Sequence, residues 1–416
     1  MLINTKMLTR SYLLRLQPRV LSLAPGKFIT TAAASVNTDV LIVGGGVVGC
    51  ALAQQLTNRA PSLKVGLVEA KSAPTSSCPP ANDTETEFVP PNPRSYALSP
   101  FSLQLLGLDN PEASSRLGFY DSMQIWEAGQ PASLIFHAKD IQADRLGAVV
   151  EDSTIVQHLW SQIQDRCTII ENSTIKSIKL SDDLYDNAQV TVMTKDGQNN
   201  LEQTVETKLV VGADGANSAV RRLMGIPRTQ FEYGQSALTF TVELESEHGG
   251  RAFQRFLATG PLALLPTFSS KHAIVVWSTT AEEAAKWKNH PNVMEQINTL
   301  LHDGPARLVP FFGTLLSNWK NMPAPIANLA YGVDKIIEVA QYGPAIASQE
   351  IAGRPFLPTP AILKIDSPQF TFPLQTGQVH GYTDSRLALV GDAAHTVGIL
   401  CCCLSITRCK TWSSIV

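Results

Sequence analysis

Gly44-Gly45-Gly46-Val47-Val48-Gly49 has the spacing G-x-G-x-x-G, a pattern that can cradle a pyrophosphate. Gly44 permits a tight turn, Gly46 lets the backbone approach the ligand, and Gly49 lets a helix pack closely on a strand. The helix N-terminus that follows offers free N–H groups and the positive end of its dipole. Glu69 lies twenty residues beyond Gly49, where a carboxylate can accept from ribose hydroxyls. Two later segments end apolar runs in the same way. Val210-Val211-Gly212-Ala213-Asp214-Gly215 leads to Ser218 and Arg221, and Leu389-Val390-Gly391-Asp392 leads to Ala393-Ala394-His395. Ser218 can cap a short helix. Asp392 can bind a ribose hydroxyl. Taken alone, each of these two segments reads equally well as a structural turn.

The elements that must carry these residues follow from periodicity. Structure is expected to begin at Asp39, with Asp39 to Val43 as a buried parallel strand, Val47 to Leu56 as a helix and Lys64 to Glu69 as the next strand. That is a βαβ unit. Ala73 to Pro93 is rich in Pro, Ser, Thr and acidic residues and reads as a loop. Helices are expected at Ser99 to Leu106 and Ser153 to Asp165, with strands at Met123 to Trp126 and Ser133 to Phe136 between them. Further strands are expected at Thr168 to Lys179, Val190 to Thr194, Thr204 to Val211 and Leu387 to Val390. Residues 236–280 alternate as an antiparallel sheet does, and Thr280 to Leu301 reads as one amphipathic helix. The fold class expected is α/β: a Rossmann-like nucleotide-binding domain with an inserted antiparallel β-sheet domain. The first would comprise residues 38–93, 146–228 and 376–397, and the second residues 94–145 and 229–375.

The three glycine-flanked segments, in this order, resemble the FAD-dependent aromatic hydroxylases, the group that includes para-hydroxybenzoate hydroxylase. The resemblance covers roughly residues 38–397 and implies FAD as cofactor. It implies that Gly44, Gly46, Gly49 and Glu69 hold the ADP part and that Asp214 and Gly215 lie between the flavin and the reductant site. Gly391 and Asp392 would hold the ribityl and pyrophosphate region. Arg94-Ser95-Tyr96-Ala97-Leu98-Ser99 resembles the family's R-x-x-A-L-S segment, which puts Arg94 on the flavin side of the active site. Arg94 to Leu106, Val149 to Leu159 and Gly391 to Val397 are most similar to the ubiquinone-biosynthesis monooxygenases within it. That likeness implies hydroxylation at carbon 5 of a polyprenylated 4-hydroxybenzoate, with oxygen as co-substrate. It also implies a ferredoxin-type electron donor, other ubiquinone-biosynthesis proteins as partners, and peripheral contact with the matrix face of the mitochondrial inner membrane. Ring hydroxylation belongs to the cofactor. No side chain is therefore assigned as catalytic, and His395 is assigned a structural role. Phe240, Phe256, Leu262, Leu264, Leu265 and Trp277 suit a prenyl-binding cavity and an ordinary core equally well.

Composition agrees. With 33 Lys and Arg against 36 Asp and Glu, the chain has no basic excess to recruit nucleic acid. Seven cysteines, four of them within the last sixteen residues, do not form a secreted disulfide framework, and Cys401-Cys402-Cys403 lacks zinc spacing. No metal is expected. Residues 1–34 hold Lys6, Arg10, Arg15, Arg19 and Lys27 and no acidic residue, as a mitochondrial targeting peptide does. After Val397 the family's His-Pro and Gly-Gln-Gly loop are replaced by Gly398-Ile399-Leu400-Cys401, so residues 398–416 read as an atypical, truncated tail. Two alternatives follow: a flavin-poor isoform that acts only as a partner in the assembly, or an FAD oxidoreductase acting on another lipid.

Overall fold

The computed structural model describes residues 36–74, 88–305 and 356–397, apart from residues 111, 112, 114, 131, 132, 182, 184, 197 and 198. The leader, most of the Pro/Ser/Thr-rich loop, the cysteine cluster and the tail after Val397 lie outside the described residues.

The βαβ unit is present. Val36–Val43 and Val65–Val68 pair in parallel, with Val43 level with Val68, across the helix Val47–Arg59. All four residues of Val65–Val68 are buried, as expected of a central parallel strand whose run is apolar on both faces. The first strand starts at Val36 rather than Asp39, because Val36 to Thr38 add three rungs to the long strand Asn199–Gly212. That long strand serves two neighbours. Its first half closes an antiparallel meander with Ala188–Asp196 and Ser173–Lys179, and its second half lies parallel to Val36–Val43. The stretch expected as one strand from Thr168 to Lys179 is two, Thr168–Ile170 and Ser173–Lys179, separated at Asn172, whose φ is 51°. The sheet order is Thr383–Asp384, Leu387–Leu389, Asn199–Gly212, Val36–Val43, Val65–Val68, Thr168–Ile170. The helices Val47–Arg59 and Asp152–Ile163 share one core, where Cys50, Ala53, Ile155, Leu159, Trp160 and Ile163 are buried together.

A three-stranded antiparallel sheet, Ser95–Leu98, Gly147–Glu151 and Leu117–Tyr120, links this part to a nine-stranded sheet. The large sheet is antiparallel but for one pair: Arg251–Leu257 runs parallel to Ser122–Glu127. Its faces separate with period two. Leu238, Phe240, Val242, Leu262, Leu264, Val275 and Trp277 form a core with Val293, Ile297 and Leu301 of the helix Val293–His302. Ala252, Ala263, Leu265 and Ile274 face the other way and pack with Val149 of the small sheet. Four of the six apolar residues expected to suit either a prenyl cavity or a core are thus core beneath a helix. Leu265 is core on the opposite face, and Phe256 is exposed. The single helix expected from Thr280 to Leu301 is two, Ala281–Trp287 and Val293–His302. Pro291 bars His290 from helical geometry, and Asn289 turns the chain at φ 59°.

Candidate functional site

Four parallel strands end level with one another. Val43 is opposite both Val68 and Gly212, and Gly212 is opposite Leu389. The three glycine-flanked segments and Glu69 therefore emerge at one edge of the sheet, the carboxyl edge where open α/β sheets bind ligands. Backbone bonds tie them: Gly44 N–H donates to Val68, Ala213 N–H to Val43 and Val390 N–H to Gly212.

Each glycine has a separate steric reason. Gly44 has φ 108°, and a Cβ there would stand 2.5 Å from the Ala213 carbonyl oxygen and 2.9 Å from the Asp214 Cα. The first segment thus lies directly against the second. A Cβ on Gly49 would collide with the Gly44 carbonyl oxygen. At Gly46 a Cβ would meet nothing within 4 Å. Gly46 is also the N-cap of Val47–Arg59, which has no side-chain cap and no acidic residue in its first turn. Its N–H groups are left for a ligand.

Gly45 is braced from the protein side. Its N–H donates to Glu69 Oε2 at 2.6 Å, and its carbonyl accepts from Trp160 Nε1 at 3.2 Å and Cys50 Sγ at 3.1 Å. Glu69 Oε1 also accepts from Lys71 N–H at 3.0 Å. A carboxylate has about four acceptor positions, so Glu69 keeps capacity for ribose hydroxyls while it orders the loop.

Asp214 accepts through Oδ2 from Ala219 and Val220 N–H at 2.6 and 3.1 Å, and Ser218 Oγ accepts from Arg221 N–H at 3.0 Å. Both side chains cap the short helix Ala219–Leu223. Asp214 Oδ1 is buried and has no hydrogen-bond partner among the described residues. Gly215 takes φ 80°. Arg221 is buried and bridges the second segment to the third, donating to the carbonyls of Ala216 at 2.8 Å and Ala393 at 3.0 Å. Burial lowers its pKa, and the neighbouring Arg228 lowers it further. Arg228 repeats the bridge, from the Ala216 carbonyl at 3.0 Å to Thr396 Oγ1 at 2.8 Å. Gly391, at φ 58°, packs on Val48, where a Cβ would come within 3.0 Å. Asp392 follows it, half-buried, in a 3-10 turn. His395 lies beside the Tyr382 ring, at 6.0 Å between centroids.

Arg94 stands apart from this junction. Its side chain is 72% exposed, and its Nε is 3.4 Å from Asp152 Oδ2 at the start of Asp152–Ile163. Tyr96 donates to the other oxygen of Asp152 at 3.0 Å, and burial, with the charge of Asp152, pushes its pKa up to about 12. The helix that receives Arg94 at its N-terminus carries Trp160, the brace of Gly45, near its other end. Trp160, Cys50 and Arg228 were not singled out from the sequence. Arg228, seven residues after Arg221, offered the only local hint.

The two described cysteines are structural. Burial raises the Cys50 thiol from 9.0 to about 12, with Glu69 adding to the shift, and burial raises Cys167 from 9.0 to about 11. Iodoacetamide at about pH 8 is expected to leave both unmodified in the folded protein and to label both after unfolding, as read by peptide mass. Both thiols hold their protons more tightly in the fold. Their contribution to stability is therefore complete below pH 9 and is lost as pH rises through 9 toward 11 and 12.

A family model described as FAD binding domain matches residues 171–319, and one described as lycopene cyclase protein matches residues 39–84. The ubiquinone biosynthesis monooxygenase COQ6 of Homo sapiens is 30% identical over 376 residues, covering 86% of this chain and 72% of the human one. The 3-demethoxyubiquinol 3-hydroxylase of Escherichia coli is 28% identical over 365 residues, covering 86% of this chain and 74% of that enzyme. Among solved structures, Pseudomonas aeruginosa PqsL in complex with 2-aminobenzoylacetate matches with a TM-score of 0.58 at 18% identity, over 88% of this chain and 81% of PqsL. The p-nitrophenol 4-monooxygenase PnpA of Pseudomonas putida matches with a TM-score of 0.56 at 15% identity, over 88% and 75% of the two chains. The fold is that of the FAD-dependent monooxygenases, and the chain belongs to the ubiquinone biosynthesis monooxygenase family, whose cofactor is FAD.

Proposed function

We propose that this chain hydroxylates the ring of a polyprenylated 4-hydroxybenzoate at carbon 5 in ubiquinone biosynthesis. The observation that carries the flavin part of the reading is the junction of the three segments, with open space at Gly46, an uncapped helix N-terminus beside it and, in the segment against Gly44, the unpartnered Asp214 Oδ1. Those features fit FAD. The loop shaped by Gly44 and Gly49 would receive the pyrophosphate at Gly46, with Glu69 at the ribose, Asp214 and Gly215 on the flavin side, and Gly391 and Asp392 at the ribityl and pyrophosphate region. Arg94 would stand by the flavin ring. FAD, when bound, supplies the oxygen chemistry. The chain's residues bind it, orient the ring against it and exclude water.

Residues 38–93, 146–228 and 376–397 would form the FAD-binding part, and residues 94–145 and 229–375 the substrate part. The eight-stranded and nine-stranded sheets support this division in outline, while Phe370–Val379 runs across its last boundary, His395–Thr396 pairs in the nine-stranded sheet, and the three-stranded sheet joins Ser95–Leu98 and Leu117–Tyr120 to Gly147–Glu151. The reading further includes a mitochondrial location on the matrix face of the inner membrane, a ferredoxin-type donor and partners in the same pathway. The relatives named mitochondrial support the location. The purified full chain is expected to show flavin absorbance at about one FAD per chain and, with a chemical reductant and oxygen, to convert a prenylated 4-hydroxybenzoate to its 5-hydroxy product. A colourless chain that takes up no added FAD would refute the site, and bound FAD without that product would refute the substrate.

A further inference from the structure

The sequence Val89-Pro90-Pro91-Asn92-Pro93-Arg94 leads into Arg94, and its three prolines leave few N–H groups to fix it. It must be held through its carbonyls and the amides of Asn92 and Arg94. The structure holds it at nearly every such group. Arg116 reaches the carbonyls of Val89 and Pro90 at 3.4 Å. Thr241 Oγ1, from the nine-stranded sheet, donates to the Pro91 carbonyl at 2.6 Å. Glu151 Oε1 accepts from Asn92 N–H at 2.6 Å, and Asn92 Oδ1 accepts from Arg94 N–H at 2.9 Å. The Arg94 carbonyl accepts from Asp152 N–H at 2.9 Å.

Arg116 and Glu151 form the centre of this arrangement. Two parallel bonds of 2.8 Å join guanidinium to carboxylate, and both side chains are buried, 5% and 4% exposed. Thr154 Oγ1 donates to Glu151 Oε2 at 3.1 Å, and the Arg116 guanidinium lies 4.0 Å above the Phe268 ring. The pair thus joins the start of the helix Asp152–Ile163 to the Pro-rich segment and, through Phe268 and Thr241, to the large sheet. Arg94 itself is mostly exposed; among the described residues its guanidinium has a 3.4 Å ion pair with Asp152 and interacts with the Tyr96 hydroxyl, and the backbone that carries it sets where it starts from.

We propose that Arg116 and Glu151 are positioning residues for the flavin reaction: they fix the Pro-rich segment between FAD-binding helix and substrate sheet and so set where the Arg94 guanidinium stands. The inference rests on the reading of Arg94 as a flavin-side residue. Arg116→Lys keeps the charge and loses the fork. Thr241→Val removes the tie from the other side without disturbing a buried charge, and serves where Arg116→Lys folds poorly.

The test uses the full chain. In the flavin-free protein, both variants should speed amide exchange at Asn92 and Arg94 about tenfold, while amides of the central strand Val36–Val43 stay unchanged. With FAD added, the dissociation constant should rise several-fold, and the product formed per oxygen consumed should fall, because a displaced group near the reacting ring costs water exclusion and alignment. Unchanged exchange in both variants overturns the inference. So does faster exchange with FAD affinity and product yield unaltered, which makes the pair a structural tie only. A wild-type chain that binds no FAD defeats the underlying reading instead, and that failure is seen without any variant.

Discussion

Arg116→Met is expected to destabilise the protein by about 3–5 kcal/mol, because it leaves the Glu151 carboxylate buried without its cation. Asn92 N–H and Thr154 Oγ1 still reach Glu151, but two neutral donors do not replace a bidentate guanidinium. The melting temperature should fall by roughly 10 °C for a domain of this size. The double variant Arg116→Met, Glu151→Met discriminates between causes. Removing both charges from a buried pair is often neutral or stabilising, so most of the loss should be recovered. A double variant as unstable as the single one would show that the Phe268 contact or side-chain volume, rather than the unpaired charge, sets the cost.

The second large effect is a separation of two glycines three positions apart. Gly49→Ala is expected to cost about 3 kcal/mol, since its methyl would press on the Gly44 carbonyl and force helix from strand. Gly46→Ala should leave stability within about 0.5 kcal/mol, as its φ of -77° suits any residue and its methyl meets only open space. That open space is where the pyrophosphate is proposed to lie. Gly46→Ala should therefore weaken FAD binding by at least about tenfold, the equivalent of roughly 1.4 kcal/mol, with thermal unfolding of the flavin-free chain unchanged. Equal FAD affinity in Gly46→Ala and wild type would remove the phosphate from that place.

The glycine segments were legible because their chemistry is local: each glycine answers a steric demand within a few residues, or at the end of an adjacent strand. The βαβ unit was legible for the same reason. The Arg116–Glu151 pair was not, because nothing near Arg116 marks it as buried, and its partner lies thirty-five residues away. Trp160 and Cys50 read as ordinary core residues of amphipathic helices; the Trp160 bond to the Gly45 carbonyl arises only when the two helices pack, whereas Cys50 reaches the same carbonyl from the helix that Gly45 leads into. The parallel pairing of Arg251–Leu257 with Ser122–Glu127 is a long-range choice that alternation cannot express, since side-chain period is the same in either direction. Pro291 is a local signal with a known meaning, and it divides the helical stretch into Ala281–Trp287 and Val293–His302.

The contact of Gly44 with Ala213 and of Val48 with Gly391 bears on the order in which the molecule is made. The first segment leaves the ribosome early, yet its partners lie about 170 and 340 positions further along the chain. Contacts of such separation form late and slowly. The βαβ unit of a nascent chain has its glycine turn without the surface against which Gly44 rests, and it lacks the third wall until residue 391 has emerged. A site with all three walls therefore exists only once residue 391 has joined the sheet, and a ligand that touches all three stabilises the finished fold rather than the early βαβ unit.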